Sequence, residues 1–171
     1  DKLVRDTLMT KNNLESSIYD YRHKLDSNGE WKAFALESEI ASIYDLSQKT
    51  EDWLYDDGEN VTKDEYLIKQ ENLDKLVNPI KQRMEQYMSL KQLLNHASMR
   101  FDGYQVEIPN NAEKYAHLTP EDQETILANV QKGRDYFRDA QQKLQSTTLN
   151  KAPPVNYNDL KNFLGEIEKA C

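Results

Sequence analysis

The chain has 171 residues, of which 37% are hydrophobic and 30% charged, and its formal net charge is −8. This acidic balance excludes the basic stripe that a phosphate-binding or nucleic-acid-binding surface needs. No run of about 18 apolar residues indicates a membrane span, and no apolar leader indicates a signal peptide. With only five Gly and five Pro, a turn-rich β fold is disfavoured, so we predict an all-α protein.

The first predicted helix runs from about Lys2 to Leu25. Apolar residues recur along it in steps of three and four, at Val4, Leu8, Leu14, Ile18, Tyr21 and Leu25, with Lys11 in place of an expected apolar residue. The pattern begins at the first residues with no capping residue ahead of it, so we expect the chain to be a fragment of a longer protein. The helix should end at the turn-forming residues 26–29.

A second helix begins between Glu30 and Ser38 and ends at Gly58, which suits a position just past a helix C-terminus. Its predicted buried residues are Leu36, Ile40, Ile43, Leu46, Thr50 and Trp53 or Leu54. The acidic segment, residues 51–65, holds seven acids against one lysine. It is either a solvated turn between helices or a docking site for a basic patch, with Asp56 and Asp57 at its centre.

The longest predicted element is a helix from Val61 to Asp102, about 40 residues long, which we expect to organise the rest of the chain. Thr62 and Glu65 form a capping box at its start. Pro79 lies in phase within the apolar stripe, so we predict one kinked but continuous helix. Asn60, Val61 and Thr62 also form a glycosylation sequon, and that alternative stays open.

Residues 103–118 lack periodicity and are predicted to be an irregular connection with a short extended piece at 106–108. A fourth helix begins after the N-cap Thr119, with Gly133 on its buried stripe where a close helix approach is expected. A fifth helix opens at Asn156 and buries Leu160, Phe163, Leu164, Ile167 and Cys171. We therefore predict an elongated antiparallel bundle of about five helices, forming a single domain with sub-bundles at about 1–84 and 85–171.

The sequence contains few groups of residues that could carry out catalysis or bind a metal ion. His23, His96 and His117 lie on different elements without second ligands at metal-binding spacing. Residues 56–60 resemble part of a calcium loop, but with Gly58 at the sixth position Trp53 and Tyr55 would occupy the first and third ligand places. The sequence therefore predicts no enzyme activity, no cofactor and no metal. The lone Cys171 favours a reducing, cytoplasmic location.

Three stretches carry a family resemblance, at residues 11–25, 50–59 and 72–80. The first, with Lys-Asn-x-Leu-Glu and a basic-Leu ending, resembles the lid helix of heat-shock protein 70 chaperones. The second, acidic and containing Trp-Leu-Tyr, is similar to the large relatives called the heat-shock protein 110 class. The third is similar to the helix that follows this segment in both classes. The match is specific over residues 1 to about 85 and looser beyond.

The resemblance implies a C-terminal helical domain whose parent protein binds ATP in another domain. It further implies docking on the ATPase domain of heat-shock protein 70, nucleotide exchange there, and the holding of unfolded clients. Asn12 and Asn13 are poor helix formers in mid-helix, and such departures are expected at functional sites. We therefore predict that Asn12 and Glu15 contact the partner, with an ordinary polar patch as the alternative and with Asp56 and Asp57 as the second candidate contact. A generic helical scaffold, or the lid of an ordinary heat-shock protein 70, is the alternative.

Overall fold

A computed structural model describes residues 1–170 of the chain, so the predicted burial of Cys171 lies outside the described residues. These residues contain five α-helices and a short 3₁₀ turn at Lys32–Phe34, with no strand among them. The predicted all-α class and five helices are confirmed. The helices are α1 Lys2–Lys24, α2 Glu37–Leu54, α3 Lys63–Asn110, α4 Pro120–Gln145 and α5 Tyr157–Ala170.

Helix α3 begins as predicted at a capping box. The backbone N–H of Thr62 donates to Glu65 Oε2 at 2.9 Å, and the N–H of Glu65 donates back to Thr62 Oγ1 at 3.4 Å. The helix then remains continuous through Pro79, although that residue has no N–H to offer the carbonyl of Lys75. The prediction of one unbroken helix is confirmed.

The predicted irregular connection after Asp102 is wrong, because α3 continues to Asn110 and is 48 residues long. Apolar residues continue at helical spacing at Phe101, Tyr104 and Ile108, and Ile108 is 2% exposed in a small core with Tyr115. Burial of this last stretch outweighs the helix-weakening effect of Gly103. Helix α3 therefore ends only just after Pro109, and the predicted extended piece at 106–108 is helical.

The chain divides into two compact units. Among the described residues, unit 1 consists of residues 1–84 and 149–151, and unit 2 consists of residues 85–148 and 152–170. That the two form a single domain stays a prediction.

In unit 1, α1 and α2 run antiparallel. Tyr44 Oη donates to Asp26 Oδ1 at 2.9 Å near one end, Arg22 pairs with Glu51 further along, and Tyr55 reaches Glu15 beyond α2. Both helices pack on the first half of α3, where Tyr21 Oη donates to Asp74 Oδ1 at 2.5 Å. The predicted antiparallel pairing of the first two helices on α3 follows from these contacts.

The core of unit 1 includes most of the predicted stripe residues and one residue that the helical pattern did not predict, Trp31. This tryptophan is 1% exposed and lies in the connection between α1 and α2. Its ring centroid lies 5.4 Å from that of Tyr21. The buried apolar residues of this core are Leu14, Ile18, Tyr21, Leu25, Trp31, Ala35, Ile43, Leu54, Tyr66, Leu73, Val77 and Ile80.

Three residues predicted to be buried are exposed instead. Val4 is 64% exposed and Leu8 is 55% exposed. Lys11 already contacts the turn after α2, so the first two turns of α1 extend beyond that contact. Leu36 is 39% exposed since it precedes α2 as an extended N-cap residue. The expectation of an uncapped α1 is also wrong, because Asp1 Oδ1 accepts a hydrogen bond from the N–H of Leu3 at 3.1 Å.

Unit 2 packs α4 and α5 on the second half of α3. Thr119 caps α4 as predicted, accepting from the N–H of Asp122 at 3.1 Å, and Asn156 likewise accepts from Asp159 at the start of α5. Gly133 permits a close approach, since a Cβ added there would lie 2.8 Å from the ring of Phe101. The core of this unit comprises Leu90, Leu93, Ala97, Phe101, Val130, Phe137, Ala140, Leu160, Leu164 and Ile167.

Acid should weaken unit 1 through Glu39. Partial burial raises the pKa of this carboxyl, but hydrogen bonds from Arg83 and the N–H of Leu36 outweigh burial and hold the pKa below its ordinary value of 4.5. A carboxyl whose pKa is lower in the folded state contributes stability above the unfolded pKa and loses it as the pH falls. Wild type should therefore lose more stability than Glu39→Gln as the pH falls from about 5 to about 3.

Urea titrations of both proteins across this pH range measure the difference. Glu37→Gln is the matched control, because Glu37 makes the same type of ion pair with Lys32 but its side chain is 89% exposed. Parallel pH profiles for wild type and Glu39→Gln would show that the pair with Arg83 does not set the acid sensitivity.

Candidate functional site

The predicted partner-binding residues lie in unit 1, on α1 and on the turn that connects α2 to α3. Helix α1 presents Leu8, Lys11, Asn12 and Glu15 at steps of three and four, so these side chains share one face. Leu14, between them, is fully buried as predicted. We call this surface the α1 face.

The α1 face is one wall of an open cleft of about 270 Å³. The opposite wall consists of Leu54, Tyr55 and Glu59, which belong to the end of α2 and the acidic segment. Lys11 Nζ donates to the carbonyl oxygen of Glu59 at 2.8 Å, and Tyr55 Oη donates to Glu15 Oε1 at 2.7 Å. The structure therefore joins two regions that sequence analysis treated as alternatives.

A hydrogen bond between Tyr55 and Glu15 spans the cleft. The hydrogen bond to the Glu15 carboxylate raises the pKa of Tyr55, since the phenol must stay protonated to donate. One Glu15 oxygen is thereby engaged, and the carboxylate keeps further acceptor capacity for an incoming donor. Asn12 is exposed and offers both a donor and an acceptor beside it.

The turn beyond the cleft is held mainly by backbone groups. The N–H of Gly58 donates to the carbonyl of Trp53 at 2.7 Å, and Tyr66 Oη donates to the carbonyl of Gly58 at 2.7 Å. A Cβ at Gly58 would lie 2.5 Å from the Trp53 ring, which explains glycine at this position. Asp56 and Asp57 are exposed, so their carboxylates point away from the packing that fixes the turn.

Sequence analysis predicted two of the residues that line the cleft, Asn12 and Glu15, and missed the others. Lys11 departs from the apolar pattern because it ties α1 to the turn, which is a structural role. Tyr55 and Glu59 also line the cleft but were not predicted. The only signal for them in the sequence is their position beside Asp56 and Asp57. Asn12 and Glu15 lie together on the cleft, whereas Asp56 and Asp57 lie outside its lining.

Residues 1–170 offer neither a metal-binding cluster nor a membrane-spanning helix. No group of three or more His, Cys, Asp or Glu side chains in this part of the chain could hold a metal ion. Within the same residues, no helix is both long and apolar enough to cross a membrane.

Comparison with known proteins gives one consistent relation. The chain is 26% identical over 171 residues to "Heat shock 70 kDa protein 15" of Arabidopsis thaliana and 25% identical over 171 residues to "Heat shock 70 kDa protein 14" of the same plant. It is 26% identical over 174 aligned residues to "Heat shock 70 kDa protein 4" of Homo sapiens.

Each match covers 100% of this chain, and the chain spans 20% of the length of each of these relatives. No protein-family model and no solved structure matches the chain significantly. The whole chain is therefore related to a segment that makes up about a fifth of the length of each of these heat shock 70 kDa proteins.

Proposed function

We propose that this chain is the C-terminal helical domain of a co-chaperone of the heat-shock protein 110 class. This proposal is based on the similarity of the entire chain to heat shock 70 kDa proteins from a plant and from human. In this proposal the domain helps the parent protein to dock on the ATPase domain of heat-shock protein 70, where it promotes nucleotide exchange. It also contributes to holding unfolded clients.

The α1 face and the exposed acids of the turn form the proposed docking surface. Glu15 meets a Lys or Arg of the partner with its remaining acceptor capacity, and Asn12 makes a hydrogen bond beside it. Asp56 and Asp57 add attraction for a basic surface, which speeds association and makes it sensitive to salt. The two contacts act together because Lys11 donates to the carbonyl oxygen of Glu59 and so holds the turn against α1.

The remaining roles of the chain follow from this proposal. It performs no catalysis and holds no cofactor, whereas the parent binds ATP in a different domain. The parent acts in the cytoplasm, and its partners are proteins rather than nucleic acids or membranes.

The test is binding of the full-length protein that carries this chain to nucleotide-free heat-shock protein 70. Replacing Asn12 and Glu15 by alanine together should weaken binding about tenfold, because a charge-assisted hydrogen bond at an interface is lost. The loss should shrink at high salt, since screening already weakens the wild-type contact. Affinity can be measured by titration calorimetry at low and moderate salt.

Two variants separate docking from folding. Tyr55→Phe removes the hydrogen bond to Glu15 but keeps its carboxylate, so it should leave partner binding within about twofold of wild type. The pair Glu71→Ala with Asn72→Ala removes the same residue types from exposed positions on α3 and should also bind normally. If the Asn12 and Glu15 variant binds like these controls, the α1 face is not the docking surface.

A generic helical scaffold predicts a different result. Such a protein would not bind nucleotide-free heat-shock protein 70 at all, in any salt. The lid of an ordinary heat-shock protein 70 would instead belong to a parent that does not release nucleotide from a second chaperone.

A further inference from the structure

Unit 2 contains an open cavity of about 130 Å³ between α3 and α4, remote in sequence from the proposed docking surface. Its floor is apolar and consists of Leu94, Phe101 and Phe137. The rings of Phe101 and Phe137 meet edge to face with centroids 5.6 Å apart, which fixes the shape of this floor. The cavity is comparable to the cavity of about 150 Å³ that holds benzene in an engineered core.

The mouth of the cavity is rich in hydrogen-bond donors. Ser98, Arg134, Arg138 and Gln141 line it, and two of these side chains are guanidinium groups one helical turn apart on α4. Two cations so close on one helix repel each other, so the pair does not serve the stability of the isolated helix.

Neither arginine is fully satisfied within unit 2. The terminal Nη2 of Arg134 pairs with Asp102, but its Nε is buried and has no hydrogen-bond partner. Arg138 is 60% exposed, and its Nη1 lies 3.6 Å from Asp135, too far for a hydrogen bond. The buried Nε of Arg134 has no surface that a ligand in the open cavity could reach, whereas the exposed guanidinium of Arg138 has donors available at the mouth.

We propose that this cavity binds a carboxylate attached to a small branched apolar group. The apolar part fills the space above Leu94 and Phe101, and the carboxylate accepts hydrogen bonds from Arg138 at the mouth. Guanidinium groups match the planar, two-oxygen geometry of a carboxylate. An inorganic anion has no apolar part to cover the floor. This site is independent of the proposed docking on heat-shock protein 70.

The probes are isocaproate, which carries a branched tail and a carboxylate, and its neutral amide, titrated into the 171-residue chain. The methyl NMR signals of Leu94 report occupancy of the floor. Isocaproate should shift these signals saturably, whereas the amide and inorganic phosphate should not. N-acetyl-glycyl-leucine, compared with its C-terminal amide, then shows whether a peptide C-terminus is the better source of the same carboxylate.

Arg138→Gln is the decisive variant, because this side chain is exposed and its loss leaves the pair between Arg134 and Asp102 intact. It should weaken isocaproate binding about tenfold, since a charge-assisted hydrogen bond is removed. Lys132→Gln, an exposed cation on the same helix that does not line the cavity, should bind as wild type does. No saturable shift of Leu94, equal binding of the amide, or equal loss in both variants would overturn the proposal.

Discussion

Replacing Trp31 by alanine is expected to lower the free energy of unfolding of unit 1 by about 3–5 kcal/mol, the range for large aromatic residues in cores. Trp31 is 1% exposed, and its ring packs on Tyr21. Lys24 Nζ lies 4.7 Å from the centroid of the Trp31 ring, which adds a cation–π contact. Its removal would therefore leave a large cavity where the α1–α2 connection meets the core.

The measurement is urea unfolding followed by tryptophan fluorescence. Both tryptophans of the chain, Trp31 and Trp53, belong to unit 1, so Trp53 still reports on unit 1 in the variant. Trp53→Ala is the matched control and should cost less, because Trp53 is only half-buried where it meets Tyr66. Equal losses in the two variants would show that Trp31 does not hold the centre of this core.

Phe101 should contribute as much to the stability of unit 2 as Trp31 contributes to the stability of unit 1. It is 1% exposed and contacts Phe137 edge to face, so Phe101→Ala should lower the free energy of unfolding by about 3–5 kcal/mol. Circular dichroism during urea unfolding measures the loss. Phe163→Ala is the matched control, since Phe163 is only partly buried, stacked on Tyr136.

Gly133 gives an independent check on the same contact. Alanine there would place a methyl group against the Phe101 ring, so Gly133→Ala should be tolerated better after Phe101→Ala than in wild type. A double-mutant cycle should therefore show coupling between the two positions. Additive effects would mean that the helices at Gly133 are not in close contact with Phe101.

Helical periodicity predicted the elements well wherever burial follows the helix repeat. The stripe along α3 and the caps at Thr62, Thr119 and Asn156 could be predicted because each depends on residues within one or two turns of each other. The end of α3 could not, because Gly103 and Pro109 weaken a helix locally. The burial of Ile108 decides the outcome, through contacts with residues beyond the helix.

Other features depend on contacts that no local pattern encodes. Trp31 lies in a connection where no period marks a buried side. The exposure of Val4 and Leu8 depends on where the turn after α2 meets α1. The candidate site shows the same limit: the spacing of Asn12 and Glu15 predicted a shared face, but the position of Tyr55 against Glu15 requires the folded turn.

Docking on heat-shock protein 70 for nucleotide exchange predicts a measurable change in the rate of nucleotide release. Fluorescent ADP is loaded onto the ATPase domain of heat-shock protein 70, and the full-length protein that carries this chain is added with excess unlabelled nucleotide. We expect accelerated release that falls about tenfold when Asn12 and Glu15 are both alanine and stays near wild type in Tyr55→Phe. Release that the protein does not accelerate, or that both variants accelerate equally, would contradict the account.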